Sequence, residues 1–279
     1  MKRKATRNVY GKNVFVTGAS SGIGEACARI FAQNGCAVTG VSRNIEEKTE
    51  TFPGGGSITT HRLDVTDEAS VRAFIEQLPE VDIAVLCAGM GVAGPAETTS
   101  QDMTRRQMEV NYFGTINAAQ PCLSKMREQG RGLLIIIGSI AGRVSIPMQS
   151  QYSASKYALE AFTDAVRMEM KPYGVRAVII EPGDTRTGFT AARQTQVETG
   201  AAGAANPGTG TNSGGPVYGD LITRSVAKME ADEQNGRSPD SVARVALALA
   251  GRKDPPARVP VGLEYKALML LLRVNAGQG

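Results

Sequence analysis

The sequence of 279 residues predicts an α/β protein built on a doubly wound parallel sheet. Runs rich in β-branched residues alternate with helical patterns, and a glycine-rich segment joins the first run to the first helix. This alternation is typical of parallel strands that are covered by helices on both faces. The predicted strands lie near residues 13–16, 37–41, 57–62, 81–87, 132–138 and 175–181.

Length and composition predict one domain over residues 1–279. Sheets of this kind reach about 250 residues as single units, so the length requires no second core. The chain is 42% hydrophobic and 21% charged, which is typical of a soluble globular protein. No apolar run approaches the roughly 20 residues that span a bilayer, and no signal-peptide core follows the first residues. We therefore expect a cytoplasmic protein without membrane association.

The chain begins with a basic segment, since four of its first seven residues are Lys or Arg. We interpret residues 1–10 as a solvated basic tail. The alternative is an arm that binds nucleic acid, but no aromatic residues are interleaved with the basic ones. Nucleic acid is therefore not an expected partner.

The cysteines and the histidine argue against two classes of site. Cys27, Cys36, Cys87 and Cys122 lack Cys-x-x-Cys spacing, and His61 is the only histidine. A clustered metal site and a Ser-His nucleophile therefore lack plausible parts. We expect no metal, and we expect reduced, mostly buried thiols.

The glycine-rich segment, residues 17–24, follows the first predicted strand and precedes a helical pattern over residues 25–34. A glycine-rich turn between strand and helix lets backbone amides approach a pyrophosphate at the positive end of the helix. Tight packing of a turn is the alternative for such a segment alone. Its position after the first strand of an alternating pattern favours the phosphate site.

Tyr152 and Lys156 are separated by one helical turn, and Ser139 follows the apolar run at residues 133–138. In a helix, residues i and i+4 project from the same face, so a phenol and an ammonium can share one pocket. A tyrosine pKa is near about 10, and a neighbouring cation lowers it. The alternative is that both residues decorate an ordinary amphipathic helix.

In chain order, these motifs resemble those of the short-chain dehydrogenase/reductase superfamily. The resemblance covers roughly residues 10–190 and rests on residues 17–24, Asn111, Ser139, Tyr152 with Lys156, and residues 182–187. It implies a Rossmann-like sheet and a homodimer or homotetramer. Residues 156–162 and the apolar C-terminus are similar to hydroxysteroid and retinol dehydrogenase-like members.

The resemblance implies hydride transfer between a nicotinamide cofactor and a secondary alcohol or ketone. Ser139 would donate a hydrogen bond to the carbonyl, and Tyr152 would protonate the developing alkoxide. Lys156 would lower the pKa of Tyr152 and bind the nicotinamide ribose. Asn111 would hold a water that links Lys156 to solvent; alternatively, its amide satisfies local backbone groups.

The end of the second predicted strand indicates the cofactor. Ser42 and Arg43 provide no carboxylate and one guanidinium, which favours a 2′-phosphate and therefore NADP(H). The alternative is an NAD(H) enzyme in which Arg43 stacks on adenine. The predicted cofactor-binding residues are Gly18, Ser20, Ser21, Gly22, Ile23, Gly24, Ser42, Arg43, Asp64, Val65, Cys87, Ala88, Gly89, Asn111, Tyr152, Lys156, Pro182, Gly183, Thr185 and Thr187.

Two predicted cofactor contacts have open alternatives. Asp64 with Val65 matches the family position at the adenine ring, but Asp64 alone also suits a turn cap. Cys87 departs from the family, which usually has Asn-Ala-Gly where this chain has Cys-Ala-Gly. The departure affects local hydrogen bonds beside the cofactor and not the catalytic residues.

The C-terminal third contains four predicted features. Residues 188–219 are rich in glycine and predict a flexible substrate lid, with an inert insertion as the alternative. Ser238, Pro239 and Asp240 predict the start of a helix that ends near Ala250. Residues 258–261 suggest an edge strand. Residues 262–279 are an apolar extension with a helix over 264–274, which we expect to pack over the pocket or against a second subunit, with membrane contact as the alternative.

The predicted substrate pocket is mostly apolar and favours a bulky hydrophobic alcohol or ketone. A hydroxysteroid, bile acid or retinoid-like molecule is the first expectation, and a fatty-acyl or xenobiotic ketone is the alternative. A hypothesis of another class is a non-catalytic NADP(H)-binding sensor or scaffold. The predicted pocket residues are Ser139, Ala141, Val144, Ile146, Met148, Gln149, Tyr152, Gly183 and Phe189.

Overall fold

The computed structural model describes residues 8–189, 193–195 and 217–275, with the backbone alone described at residues 270 and 272–275. Within these residues, one sheet has eight strands in the order β10-β8-β7-β5-β1-β2-β4-β3. All neighbours pair in parallel except β3 and β4. The strands are β1 (Asn13–Thr17), β2 (Ala37–Ser42), β3 (Thr49–Thr51), β4 (Ser57–Arg62), β5 (Ile83–Leu86), β7 (Gly132–Ile137), β8 (Val175–Pro182) and β10 (Arg258–Val261). The predicted fold class is confirmed.

Helices cover both faces of the sheet. The two faces of β7 show the division, because Leu133 and Ile135 pack with one buried cluster, whereas Leu134 and Ile136 pack with the other. The first cluster includes α1 and α7, and the second includes α2, α4 and α5. The helices are α1 (Gly22–Gln33), α2 (Glu68–Gln77), α3 (Gln101–Met108), α4 (Gly114–Gln129), α5 (Ser150–Met170), α6 (Gly219–Gln234), α7 (Pro239–Ala250) and α8 (Leu263–Asn275).

Some elements carry no signal that sequence patterns can detect. Strand β3 is fully exposed and pairs antiparallel with β4. A second sheet joins two short strands, β6 (Val92–Ala93) and β9 (Gln194–Thr195). A π-helical turn at Glu109–Phe113 joins α3 to α4. Strands β6 and β9 are too short to show the alternation of apolar and polar residues by which a strand is recognised in a sequence.

The ends of the chain refine the predicted boundaries. Residues 1–7 of the predicted tail lie outside the described residues, but the tail does not extend to residue 10. Tyr10 is buried, and its hydroxyl donates to the carbonyl of Arg252 at 2.9 Å. Because Tyr10 is an aromatic residue next to an apolar core, it packs where a solvated tail was expected.

The C-terminal elements follow the sequence prediction closely. Ser238 caps α7, its hydroxyl accepting from the backbone N–H of Asp240 at 3.3 Å, and Pro239 is the first helical residue. The edge strand at 258–261 is β10. Most of the segment predicted as a lid, residues 188–219, lies outside the described residues. In the described part of the chain, no helix is both long and apolar enough to cross a membrane.

Candidate active site

The turn between β1 and α1 requires glycine at several positions. Gly18 and Gly22 have φ of 70° and 57°, a conformation that favours glycine. At Gly24, a Cβ would lie 2.2 Å from the carbonyl oxygen of Gly18. Gly24 therefore allows the helix to approach the strand and does not itself line the cavity described below.

The same turn fits a phosphate group. Ser21 precedes α1 in extended conformation, and its side chain makes no capping hydrogen bond to the helix. The helix therefore begins with backbone N–H groups that its own cap does not use, and these groups bind anions well. Ser20 lies beside the end of β2, where its hydroxyl is 3.0 Å from that of Ser42.

One large cavity joins this turn to the predicted catalytic residues. Its volume is about 580 Å³. The predicted cofactor residues that line it are Gly18, Ser20, Ser21, Gly22, Ile23, Ser42, Arg43, Asp64, Val65, Cys87, Ala88, Gly89, Tyr152, Lys156, Pro182, Gly183, Thr185 and Thr187. Their convergence fits an extended dinucleotide that reaches from Arg43 to Tyr152.

The two positions with open alternatives are explained by their contacts. Asp64 accepts from the backbone N–H of Thr66 at 3.0 Å and so caps the turn. It also lines the cavity, and its contact with the adenine ring stays a prediction. The backbone N–H groups of Cys87 and Ala88 donate to the hydroxyl of Thr17 at 3.0 and 3.1 Å. This contact holds the end of β5 against β1 without a side-chain amide at position 87. Burial raises the pKa of Cys87 to about 12, so its thiol is not a reactive thiolate.

Tyr152 and Lys156 project from the first turns of α5, as predicted. The Lys156 Nζ lies 5.7 Å from the centroid of the Tyr152 ring. Lys156 is 7% exposed, and its ammonium donates to the carbonyl of Ile137, at the end of β7, at 3.0 Å. Ser139 hydrogen-bonds the Tyr152 phenol, and its oxygen accepts from the N–H of Ala141 at 3.1 Å. The three groups therefore surround one position in the cavity.

The expected lowering of the Tyr152 pKa is not found in this structure. Burial raises the pKa of Tyr152 to about 12 and outweighs the hydrogen bond from Ser139, which lowers it. Burial also lowers the pKa of Lys156 to about 8. Sequence spacing indicated that the two groups are neighbours, but it gave no measure of their desolvation.

Asn111 lies in the π-helical turn and does not line the cavity among the described residues. Its Nδ2 donates to the carbonyl of Met90 and to the hydroxyl of Ser155, both at 3.1 Å. Its Oδ1 accepts from the N–H of Met90 at 2.8 Å. The side-chain amide is thus satisfied locally, which was the alternative interpretation. A role in holding water stays a prediction.

The predicted substrate residues divide into two groups. Those that line the cavity, besides the catalytic residues and Gly183, are Ala141, Ile146, Gln149 and Phe189. The ring of Phe189 lies 5.7 Å from the Tyr152 ring, between centroids. Val144 and Met148 are not among the described lining residues. The Met148 backbone has φ of 62°, and its carbonyl instead accepts from Gly94 at 2.8 Å.

Two helices bring residues to the cavity that sequence patterns did not indicate. Met229 and Glu233 reach it from α6, and Tyr265 reaches it from α8. The Tyr265 hydroxyl donates to the Asp184 carboxylate at 2.6 Å and accepts from the Asp184 N–H at 3.1 Å. The predicted terminal helix thus covers the pocket, one of the two roles expected for it. In the sequence, only the apolar character of α8 indicated this role. No sequence pattern distinguished Glu233 from the other acidic residues of α6.

Comparison with known proteins identifies the family. The family model for short chain dehydrogenase matches residues 12–198. A 3-ketodihydrosphingosine reductase from Bacteroides thetaiotaomicron is 34% identical over 253 residues, covering 89% of this chain and 87% of the relative. The chain therefore belongs to the short-chain dehydrogenase family and is an oxidoreductase that acts on CH–OH groups.

Solved structures agree with this assignment. An alcohol dehydrogenase from Thermococcus sibiricus, complexed with 5-hydroxy-NADP, has a TM-score of 0.67 and 25% identity over 89% of this chain and 95% of that one. A short chain dehydrogenase/reductase from Burkholderia phymatum, in complex with NAD, has a TM-score of 0.76 and 21% identity over 98% and 96%. The second likeness supports the fold alone, and the pair does not distinguish NADP from NAD.

Replacement of Tyr152 by Phe tests the proton donor. We expect turnover to decrease by at least about a hundredfold, the usual scale for general acid catalysis, because the phenol proton is lost. Cofactor affinity, measured by fluorescence titration, should change little. The matched control is Tyr157→Phe, which alters an exposed tyrosine on the same helix. Near-normal turnover in Tyr152→Phe would exclude this role.

The pKa of Lys156 predicts a pH dependence. Burial favours the neutral amine, so Lys156 loses its charge as pH rises through about 8. The reductive kcat/KM should decrease over that range, since the phenolate left after proton donation is no longer stabilised by an ammonium. Tyr152, with a pKa of about 12, does not contribute there. In Lys156→Arg the guanidinium stays charged, and an unchanged decrease in that variant would contradict the assignment.

Proposed function

We propose that the protein catalyses the NADP(H)-dependent, reversible interconversion of a ketone and a secondary alcohol on a bulky or long-chain apolar substrate. The observation that carries the proposal is the convergence of Ser139, Tyr152 and Lys156 on one cavity. The wall of the same cavity includes the glycine turn on one side and Ile140, Ala141, Ile146, Phe189 and Met229 on the other. A binding-only sensor or scaffold would have no physical need for this set of proton donors.

The mechanism follows from the positions of three side chains. When bound, the nicotinamide cofactor supplies the hydride. Ser139 and Tyr152 donate hydrogen bonds to the substrate carbonyl oxygen and stabilise the negative charge that develops on it. Tyr152 then gives its phenol proton to the alkoxide, and Lys156 stabilises the phenolate that remains. Because the site is buried, these charges act through a low dielectric and interact more strongly than in water.

The choice of NADP(H) rests on the end of β2. Ser42, Arg43 and Asn44 line the cavity there, and none of them carries a carboxylate. A guanidinium pairs with a 2′-phosphate, whereas a carboxylate at this position would select the ribose diol of NAD(H). Use of NAD(H), with Arg43 stacked on the adenine, is the competing proposal.

The substrate class is supported by the apolar wall and by the name of the sphingosine-type relative. That relative's name refers to a long-chain ketone, which favours an open-chain substrate over the hydroxysteroid, bile acid or retinoid expected from the sequence. Fatty-acyl ketones are of the same open-chain type, and xenobiotic ketones are the other alternative that the sequence leaves open. We further propose a cytoplasmic homodimer or homotetramer without a nucleic-acid or membrane partner, in keeping with the composition.

A substrate screen tests the proposed reaction. Purified protein is mixed with NADPH or NADH and with paired ketones, one steroidal and one long-chain, and loss of nicotinamide absorbance is followed. We expect turnover with long-chain ketones and a preference for NADPH. Cofactor binding without turnover on any ketone, in a protein that is shown to be folded, would instead support the sensor or scaffold.

Arg43→Ala tests the cofactor preference. Removing the guanidinium should weaken the binding of NADPH by about 1.5 to 3 kcal/mol, the usual range for a charge-assisted hydrogen bond. NADH should be affected much less, because it lacks the 2′-phosphate. Dissociation constants for both cofactors provide the measurement, and Arg105→Ala, at an exposed position on α3, provides the control. Equal weakening of both cofactors would identify Arg43 as an adenine-stacking residue.

A further inference from the structure

A buried carboxylate lies one helical turn beyond Lys156 and takes no part in the reaction steps above. Glu160 is on α5, four residues after Lys156, and is 5% exposed. Its Oε2 accepts from Arg258 Nε, on β10, at 2.7 Å. Its Cγ lies 3.3 Å from the position that a Cβ would take at Gly142. Glu160 is therefore enclosed by α5, β10 and the turn that follows Ser139.

A second buried carboxylate is the neighbour of the first. The side chain of Glu181, near the end of β8, is 1% exposed and is within hydrogen-bonding distance of Glu160. Arg143 Nη1 donates to Glu181 Oε1 at 3.3 Å. Glu160 Oε1 is buried and has no hydrogen-bond donor among the described residues. Because an ionised carboxylate only accepts, two carboxylates hydrogen-bond when one of them carries a proton. The geometry thus places a shared proton between Glu160 and Glu181.

The charges around this carboxyl pair come from several elements. Arg258 pairs with Asp164 as well as with Glu160, and Arg143 pairs with Glu181. The contacts join three carboxylates to two guanidiniums, so one negative charge is in excess when the shared proton is absent. The charged residues nearby are Lys156 and Asp164 on α5, Arg143 after β7, Arg258 on β10, and Arg252 and Lys266, which line with Glu181 a second cavity of about 500 Å³.

Glu160 acts on the ammonium of Lys156. Burial lowers the pKa of Lys156 to about 8, whereas Cys87 and Glu160 raise it. The Cys87 thiol has a pKa of about 12 and is therefore neutral near pH 8. Of the described groups that raise the pKa of Lys156, Glu160 is the one that carries a negative charge at that pH.

The two groups titrate in a useful order. Burial and, next, the Glu181 carboxylate raise the pKa of Glu160 to about 7, although Arg258 lowers it. Glu160 consequently becomes ionised as pH rises through about 7. Lys156 begins to lose its proton at a higher pH, near 8. The negative charge is thus in place before the ammonium needs it.

We propose that Glu160 is the countercharge that keeps Lys156 protonated, and that the proton shared with Glu181 determines when this charge is present. Above neutral pH, ionised Glu160 opposes the loss of the ammonium proton to solvent. Neither glutamate is among the described residues that line the catalytic cavity, so both are positioning residues that act through Lys156. The role rests on the proposed ketone reduction, in which Lys156 stabilises the Tyr152 phenolate.

The first test is the pH profile of reductive kcat/KM in Glu160→Gln. The amide keeps the side-chain volume and an acceptor for Arg258, but it removes the charge. We expect the alkaline decrease to move to lower pH by about 0.5 pH unit or more, because Lys156 then loses its proton earlier. A purely structural ion pair would leave the position of this decrease unchanged.

Two further variants serve as matched controls. Glu160→Asp keeps the charge, so its alkaline decrease should lie closer to that of the wild type than the decrease of Glu160→Gln does. Glu181→Gln removes a buried carboxylate from the same pair but leaves Glu160 ionised, so its decrease should not move to lower pH. Equal downward shifts in Glu160→Gln and Glu181→Gln would contradict the assignment to Glu160.

Infrared spectroscopy tests the shared proton without substrate or turnover. In the wild-type protein, the carbonyl band of a protonated carboxyl group should be present near pH 6 and disappear as pH rises through about 7. The band should be absent from Glu160→Gln. It should also be absent near pH 6 from Glu181→Gln, because loss of the neighbouring carboxylate lowers the pKa of Glu160.

The outcomes separate this inference from the proposed function. Turnover with an unshifted profile in Glu160→Gln overturns the countercharge and leaves ketone reduction intact. Absence of turnover with every ketone overturns the proposed function, and the infrared comparison then still decides the shared proton. Since the wild-type spectrum requires no variant to fold, a spectrum without the titrating band overturns the inference in every case.

Discussion

The candidate chemistry depends on the reversal of strand order between β1 and β5. From β1 the sheet continues to β2 in one direction and to β5, β7 and β8 in the other, all parallel. The loops that follow these strands therefore leave from one edge and open a crevice at the reversal. Thr17 fixes this point, because its hydroxyl binds the N–H groups that follow β5. The glycine turn, Ser139 and the cofactor residues after β8 all reach the crevice from that edge.

Burial decides the electrostatics of the site more than any pairwise contact does. It raises the pKa of Tyr152 and lowers that of Lys156, and each shift disfavours the charged form. The protein stabilises the ammonium with the Ile137 carbonyl at the end of β7. In such a buried site, any further charge acts strongly on Tyr152 and Lys156, because little water screens it. Arg193 and Glu233 form an ion pair, and both charges act on the pKa of the Tyr152 phenol.

The C-terminal part of the chain completes the cavity from the opposite side. Gly183, after β8, accommodates the Tyr265 ring, since a Cβ there would lie 2.0 Å from the ring carbon Cζ. Arg237 and Glu264 form an ion pair that joins the loop after α6 to the start of α8. These contacts couple the position of α8 to the segment that begins at Pro182. The catalytic residues are thus enclosed in part by α6 and α8, which come from the C-terminal part of the chain.

The sequence by itself determined the α/β class, most strands, the glycine turn and the grouping of Ser139, Tyr152 and Lys156. These features are local: strand runs, one turn and one helical repeat, each visible within a short window. Only the tertiary structure decided that Asn111 is satisfied by Met90 and Ser155. It also decided that Glu233 and Tyr265 line the cavity, whereas Val144 and Met148 are not among the described residues that line it. It also reversed the expected pKa shift of Tyr152. The physical reason is that burial and long-range contacts depend on segments distant in the chain, and residue spacing does not encode how deeply a side chain is desolvated.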